Sequence, residues 1–427
     1  MQNPSYPEVF LHFVWRTLNF DFQHLQTVDK QEIVIQKVGN WNRNQGPDFL
    51  QAVISLDNLR WAGHVEIHLE TEDWYKHQHE HDEKYNGVIL HVVGKSSGKP
   101  VIRKDGTHIP EVEIGTRILP NVLQKYAQLQ RETDKIPCEG SLHTVQAIHI
   151  QSTIVSMALE RMAEKAGKMQ ERLQNTIQDW EQVLWECLMY GLGSVNNGHR
   201  FEEMAKIAKI ALLKKLSPFQ IEAILFGISG VLQKAQDDYS LSLQQEWQFL
   251  QAKYQLLQLE HDGFSYLRMR PATFPDLRIA QVAHLIHCFP KLISLVETTQ
   301  LQDFIKTEIY AQNEYWETHY RLGQTTTGKK SRKSLGASQK EILLINTLVP
   351  FAYLYKNAHG DESAENVFEE TLSLLPAENN HHIRAFTDLG ITPKNSLESQ
   401  GLLHLKRNFC DEKRCLHCGI GYQILKG

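Results

Sequence analysis

The residues whose types and spacing are best suited to metal binding or catalysis are Asp48, Glu66 and His68, near the amino-terminal end of the chain. Hard divalent cations such as Mg²⁺ and Mn²⁺ prefer carboxylate oxygens, usually one or two from the protein. Asp48 leads into one apolar run and Glu66 lies midway along the next, so neighbouring antiparallel strands would let both carboxylates share an ion. His68 projects from the same face as Glu66, and imidazole titrates near neutral pH, so it could orient or deprotonate a water. The sequence therefore predicts a divalent-metal site at Asp48 and Glu66, with His68 beside it.

Hydrophobic periodicity indicates which elements must position these residues. Val9–Leu18 is typical of a buried helix with a proline in its first turn. Strands are predicted at 32–38, 49–56, 59–69 and 88–93, with a further candidate strand at 111–114. Asp57-Asn58 predicts a tight hairpin, and Asp73 is expected to cap a short helix running to about Tyr85. The order helix, three strands, helix, strand predicts an α/β domain with a mixed sheet.

The second chemical feature is the cysteine motif Cys410-x₄-Cys415-x₂-Cys418. In a cytosolic protein, thiolates at this spacing indicate metal ligation rather than a disulfide framework. The fourth ligand could be Cys138, His404 or His417. Zinc is the favoured occupant because it needs no assembly pathway, and a 4Fe-4S cluster and free thiols are the alternatives.

The spacing of apolar residues changes in the rest of the chain. From about Leu142 to Leu375, apolar residues recur at helical spacing, which predicts a mainly α-helical region. We expect an α/β domain at 1–120, a larger all-α domain at 121–385, and a carboxyl-terminal cysteine segment at 386–427 that packs back on the body. No apolar run reaches about 18 residues and no secretory signal is recognisable, so we expect a cytoplasmic protein without a membrane span.

Pro47-Asp48, followed by Glu66-Ile67-His68 on this element order, resembles the restriction-endonuclease-like nuclease superfamily. Its P-D and E-x-K motifs hold a metal ion through the aspartate and glutamate, which correspond to Asp48 and Glu66. His68 stands where that superfamily has lysine, and Glu8 is a candidate for the acidic residue that some members carry on the first helix. The resemblance covers about the first 115 residues. The layout of one early and three late cysteines also resembles the iron–sulfur nucleases of the same superfamily.

Over its whole length the chain resembles an uncharacterised bacterial family of unknown function (DUF2851), found mostly in Bacteroidota. The shared phrases are Asn44–Phe49, His64–His68, Val88–Val93, Arg268–Pro275 and Tyr315–Tyr320. These shared segments are long and specific, so they indicate that the chain is related to the family. They do not indicate an activity, because the family has none established.

The nuclease resemblance implies hydrolysis of phosphodiester bonds in DNA or RNA with Mg²⁺ or Mn²⁺. The net charge of −5 gives no global attraction to nucleic acid, so phosphate contacts would have to be local. Candidate nucleic-acid contacts flank a proline-bounded loop or form a basic loop: Arg268, Arg270, Arg278, Lys329 and Lys330. A solvated loop is the other interpretation of this basic charge.

Three other interpretations stay open. A strand face carrying His64, Glu66, His68 and Glu70 could simply be solvated. The domain could be an inactive nuclease fold that binds nucleic acid or a protein, which the replaced lysine favours. The chain could also be a zinc-dependent hydrolase using His68, His77 or His81, since the last two stand four residues apart. His91, within an apolar strand, is expected to be a hydrogen-bonded core residue.

Overall fold

The computed structural model describes residues 6–42, 44–131, 136–176, 178–259, 263–326 and 328–426. Within these ranges the chain divides into two compact units. The first takes in the described residues of Met1–Ile154, Arg384–Ile391 and Leu403–Gly427, and the second those of Val155–Ile383 and Thr392–Leu402. The first unit contains a mixed α/β sheet region and the second is mostly helical, which confirms the predicted fold class at that level.

The strands are β1 (Ile33–Lys37), β2 (Asn40–Trp41), β3 (Phe49–Leu56), β4 (Leu59–Glu70), β5 (Val88–Lys95), β6 (Val101–Ile102), β7 (His108–Ile109), β8 (Glu111–Glu113), β9 (His319–Arg321) and β10 (Gln324–Thr325). The helices are α1 (Glu8–Thr17), α2 (Asp73–Lys76), α3 (Pro120–Gln130), α4 (Ala147–Asn175), α5 (Trp180–Ile207), α6 (Ile210–Leu213), α7 (Pro218–Ser229), α8 (Asp238–Tyr254), α9 (Pro275–Cys288), α10 (Ser294–Glu297), α11 (Ala337–Leu343), α12 (Val349–Ala358), α13 (Val367–Ser373), α14 (His381–Thr387), α15 (Ser396–Leu405) and α16 (Gly419–Lys426). Short 3-10 turns connect many of them, including His79–His81 and Glu83–Tyr85.

The sheet of the first unit has the order β1-β3-β4-β5-β8, with β2 also paired to β3. β1, β3 and β4 are antiparallel neighbours, whereas β5 lies parallel to β4 and β8 parallel to β5. The hairpin between β3 and β4 turns at Asp57 and Asn58, which both adopt the left-handed conformation that a tight two-residue turn requires. The predicted strands at 32–38, 49–56, 59–69, 88–93 and 111–114 are therefore all present, with ends that differ by a few residues.

Helix α1 lies against β4 and fixes one wall of the region around Glu66. Its apolar stripe is buried, including Phe10, Leu11 and Val14, as its helical spacing predicted. Leu18 ends the helix in a left-handed conformation, and its N–H donates to the carbonyl of Trp15.

The predicted helix from Asp73 to about Tyr85 was wrong. The segment breaks into α2 and two 3-10 turns, because Gln78 adopts a left-handed conformation with φ 60°. Asp73 is also the first residue of α2 and not its cap; its carboxylate accepts a hydrogen bond from the Glu70 N–H at 3.0 Å. The break lies between His77 and His79, and it changes the histidine geometry that a continuous helix would give.

The second unit has a large apolar core that includes residues of α5, α7, α9 and α12. Arg278, on α9, is 3% exposed and its guanidinium donates to Gln281 at 2.6 Å. The expectation that Arg278 contacts nucleic acid is therefore corrected, because a phosphate cannot reach a buried guanidinium. Across the described ranges, no helix combines the length and apolar character needed to cross a bilayer.

Candidate metal centre

Asp48 and Glu66 are brought side by side by the pairing of β3 with β4. The N–H of Asp48 donates to Glu66 Oε2 at 3.0 Å, and the N–H of Ile67 donates to Asp48 Oδ2 at 2.9 Å. Each carboxylate is thus held by the backbone beside the other, although the two residues stand 18 positions apart in sequence. Glu66 is 5% exposed, so this face of β4 is not the solvated surface that an isolated antiparallel sheet would present.

The environment of Glu66 opposes its negative charge. Burial, followed by the charge of Asp48, raises the pKa of Glu66 to about 9. The backbone hydrogen bond from Asp48 favours the ionised carboxylate, but it does not outweigh the other two effects. A bound cation would stabilise the ionised forms of both carboxylates, because its positive charge offsets their mutual repulsion.

Helix α1 adds a histidine to the carboxylate pair. His12 Nε2 lies 3.3 Å from Asp48 Oδ2 and 3.9 Å from Glu8 Oε1. Burial opposes protonation of His12, but the nearby carboxylates outweigh it and its pKa is raised. His12 was not predicted from the sequence, although its position one helical turn after Glu8 places both side chains on the same face.

His68 lies beside Glu66 in a buried row of polar side chains. Its Nε2 is 3.7 Å from Glu66 Oε1 and its Nδ1 is 2.8 Å from His91 Nε2. His91 Nδ1 in turn lies 2.9 Å from Glu111 Oε2. Burial, followed by the neighbouring histidines, lowers the pKa of His68, so this residue is a neutral imidazole at pH 7. His91 is buried and hydrogen-bonded, as expected for a core histidine.

The loop after α2 brings two more histidines to Glu66 and His68. The ligand atoms of His68, His77 and His79 all lie within 4.8 Å of one another. His68 Nε2 is 3.1 Å from His77 Nδ1, and His79 Nε2 is 3.2 Å from Glu66 Oε1. His81 lies elsewhere, with a side chain 77% exposed next to Glu80. The predicted pairing of His77 with His81 is therefore corrected to a group of His68, His77 and His79, because the helix breaks at Gln78.

The four cysteines named from the sequence come together in the first unit. Cys415 and Cys418 are buried, while Cys138 and Cys410 are half-buried. Burial, followed by the charges of neighbouring thiolates, raises the pKa of Cys138 to about 12 and raises that of Cys410 as well. Cys415 belongs to the same group, since burial and Cys418 raise its pKa to about 12. Thiols that disfavour one another's ionisation in this way are those that a cationic metal would stabilise as thiolates.

A cleft of about 340 Å³ lies next to the cysteine segment, and Arg16 of α1 is one of the residues that line it. The guanidinium carbon of Arg16 is 4.5 Å from the ring centroid of Trp41 and 5.2 Å from that of Tyr422. The ring of His417 stacks on Trp41 at 5.7 Å between centroids. Arg16 follows His12 by one helical turn, so the cleft begins roughly 6 Å along the helix axis from the histidine that contacts Asp48.

The remaining basic candidates belong to the second unit. Arg268, Arg270, Lys329 and Lys330 are exposed. They lie on irregular segments before α9 and after β10, as the proline- and glycine-rich sequence predicted.

The chain belongs to a family described as "Protein of unknown function (DUF2851)", which it matches over residues 8–381. Searches among curated proteins and among solved structures gave no match.

Proposed function

We propose that this chain, whose family carries no assigned activity, hydrolyses phosphodiester bonds of nucleic acid with a divalent cation held by Asp48 and Glu66. One observation carries the proposal: the backbone of two paired strands holds these carboxylates together, with Glu66 buried and Asp48 half-buried. Such a pair suits Mg²⁺ or Mn²⁺, which take one or two protein carboxylates and complete their shells with water and phosphate oxygens. The cation would supply a reactive water and neutralise charge on the phosphate.

The arrangement of elements supports the same reading. Helix α1, the antiparallel strands β1, β3 and β4, the helical segment after β4 and the parallel strand β5 follow in the order of the restriction-endonuclease-like core. We propose that the first unit has that fold. Asp48 directly precedes β3 and Glu66 lies in the middle of β4, which are the positions that the nuclease motif would give them.

The aromatic cleft beside α1 is the proposed nucleic-acid contact in the first unit. Single-stranded nucleic acid binds where aromatic rings stack on bases and cations meet the backbone. Trp41, His417 and Tyr422 offer rings, and Arg16 offers a guanidinium, on the helix that also carries His12. The exposed Arg268, Arg270, Lys329 and Lys330 are the proposed phosphate contacts of the second unit.

The cysteine group is the proposed site of a structural metal. Zinc at about 2.3 Å from each sulfur draws thiolates to within roughly 3.8 Å of one another. The groups of ligand atoms that lie within 4.8 Å of one another in the described part of the chain do not include these thiols. A 4Fe-4S cluster binds each thiolate through a different iron and so accepts wider spacing. Of the two occupants expected from the sequence, we therefore propose the cluster for Cys138, Cys410, Cys415 and Cys418.

The decisive test is a nuclease assay on circular and linear, single- and double-stranded DNA and RNA with Mn²⁺. We expect wild-type protein to cleave at least one substrate, and Asp48→Asn and Glu66→Ala to lose cleavage. Glu70→Gln is the matched control, because Glu70 ends the same strand and is expected to retain full activity. Cleavage that survives in both carboxylate variants would rule out this site.

A second function is favoured by one observation. His68 stands where the nuclease motif has a cationic lysine, yet it is 1% exposed and neutral. A fold without that cation could bind nucleic acid without cutting it. Affinity for nucleic acid that persists in EDTA and in Asp48→Ala, with no cleavage by the wild type, would establish this binding module in place of the nuclease.

A further inference from the structure

The histidines around His68 form a row whose hydrogen bonds fix which nitrogen carries a proton. Glu111 Oε1 accepts from the hydroxyls of Thr71 at 2.9 Å and Ser96 at 2.5 Å, so Glu111 acts as an acceptor. His91 Nδ1 must then donate to Glu111 Oε2, which leaves His91 Nε2 as an acceptor. His68 Nδ1 donates to that acceptor, which leaves Nε2 as the ring nitrogen that faces the other side chains.

Nε2 of His68 faces three other atoms that can bind a metal ion. Glu66 Oε1 lies 3.7 Å away, and His79 Nε2 lies 3.2 Å from that same carboxylate oxygen. His77 Nδ1 approaches His68 Nε2 to 3.1 Å from the solvent side. A carboxylate oxygen and three imidazole nitrogens thus converge on a small volume, where a cation would satisfy all of them.

The surrounding rings hold this arrangement in place. Tyr85 stacks on His79 with centroids 3.8 Å apart, and the buried Trp74 contacts the rings of His68, His79 and His91 edge-on. Ligands locked by packing and by hydrogen bonds beyond the metal are typical of sites that bind an ion without rearrangement. His77 is exposed, which gives an ion a route in from solvent.

We propose that His68, His77, His79 and Glu66 Oε1 bind a transition-metal ion such as Zn²⁺. Imidazole nitrogens favour zinc and its neighbours over Mg²⁺. A tetrahedral ion with bonds of about 2.0–2.1 Å places its ligand atoms roughly 3.3 Å apart. The separations of 3.1, 3.2 and 3.7 Å at this site bracket that value. The row from His68 through His91 to Glu111 then orients the metal-binding imidazole.

Glu66 would connect this ion to the proposed catalytic one. Its Oε1 faces the histidines while its Oε2 accepts from the backbone of Asp48. If the proposed nuclease activity holds, on which this role alone rests, the histidine-bound ion supplies the positive charge that lysine supplies in the nuclease motif. His68 at the lysine position is then a metal ligand and not a lost catalytic group.

The test is a calorimetric titration of the full-length chain with Zn²⁺, comparing wild type with His77→Ala. His77 is exposed, so its replacement leaves the fold intact, and His81→Ala is the matched control on the same loop. We expect His77→Ala to lose one zinc equivalent or to bind that equivalent at least ~10-fold more weakly, with His81→Ala unchanged. Any zinc taken up by the cysteines is the same in all three proteins and cancels.

The outcomes separate the two proposals. Equal stoichiometry and equal affinity in wild type and His77→Ala would overturn the histidine site, whatever the nuclease assay shows. Zinc binding that depends on His77 in a protein that cuts no nucleic acid would sustain the histidine site and refute the nuclease. Asp48→Asn is expected to bind the histidine-site zinc like wild type, because Asp48 is not among its ligands.

Discussion

Replacing Glu66 with glutamine should stabilise the metal-free protein while removing its proposed activity. The ordinary pKa of a glutamate side chain is 4.5, and that of Glu66 is raised to about 9, first by burial and then by Asp48. Between these values the unfolded chain has released the proton that the folded chain still holds. The folded state therefore binds more protons, and its stability falls as pH rises through this window.

The magnitude follows from the same pKa. The roughly 2.5 pH units between 4.5 and neutrality correspond to about 3 kcal/mol of lost stability at pH 7, with crowding against Asp48 making this an upper figure. Glutamine keeps an oxygen to accept from the Asp48 N–H and gains an amide that can donate to the imidazoles of His68 and His79. Glu66→Gln should thus match wild type near pH 4.5 and exceed it by about 1–3 kcal/mol at pH 7.

The assay is urea unfolding in EDTA at pH 5, 6, 7 and 8, followed by circular dichroism. Glu72→Gln is the control, because backbone and Lys99 contacts lower the pKa of the half-buried Glu72. The difference in stability between Glu72→Gln and wild type should therefore not grow with pH in the same direction. Adding Mn²⁺ should stabilise wild type and leave Glu66→Gln unchanged. A variant less stable than wild type at pH 8, or a difference that does not increase with pH, would refute the reasoning.

Three further predictions address the neighbouring features. Glu111→Gln should weaken the zinc affinity of the histidine site by about 10–100-fold, since it disturbs the row that orients His68; a zinc titration measures this. Cys138→Ser should lose the brown absorbance of an iron–sulfur cluster and unfold more easily. Cys288→Ser, at an exposed thiol, is the control and should keep both the colour and the stability of wild type. Colour and stability retained in Cys138→Ser would exclude Cys138 as a ligand. Trp41→Ala should weaken binding of single-stranded DNA by about 1–3 kcal/mol, measured by fluorescence anisotropy. Trp61→Ala is the control, because Trp61 is exposed and lies outside the cleft. Equal losses of affinity in both variants would show that the cleft does not contact the DNA.

The sequence by itself determined the main strands of the first unit and the face of β4 that carries Glu66 and His68. Alternation along 59–69 predicted a strand with Glu66 and His68 on one face, because the two-residue period of a strand is set by its backbone. Asp57-Asn58 predicted the hairpin that pairs β3 with β4 and so brings Asp48 close to Glu66, because those two turn residues tolerate the left-handed conformation. Local rules of this kind need no knowledge of distant neighbours.

Only the tertiary structure decided what surrounds that pair. His12, His91 and Glu111 reach the site from α1, β5 and β8, and no local pattern reports which strands become neighbours. The periodicity of residues 73–85 favoured one helix, yet Gln78 breaks it and turns His79 instead of His81 towards Glu66. Burial is likewise a property of the packed chain, and it distinguishes Glu66 and His68 from a solvated strand face.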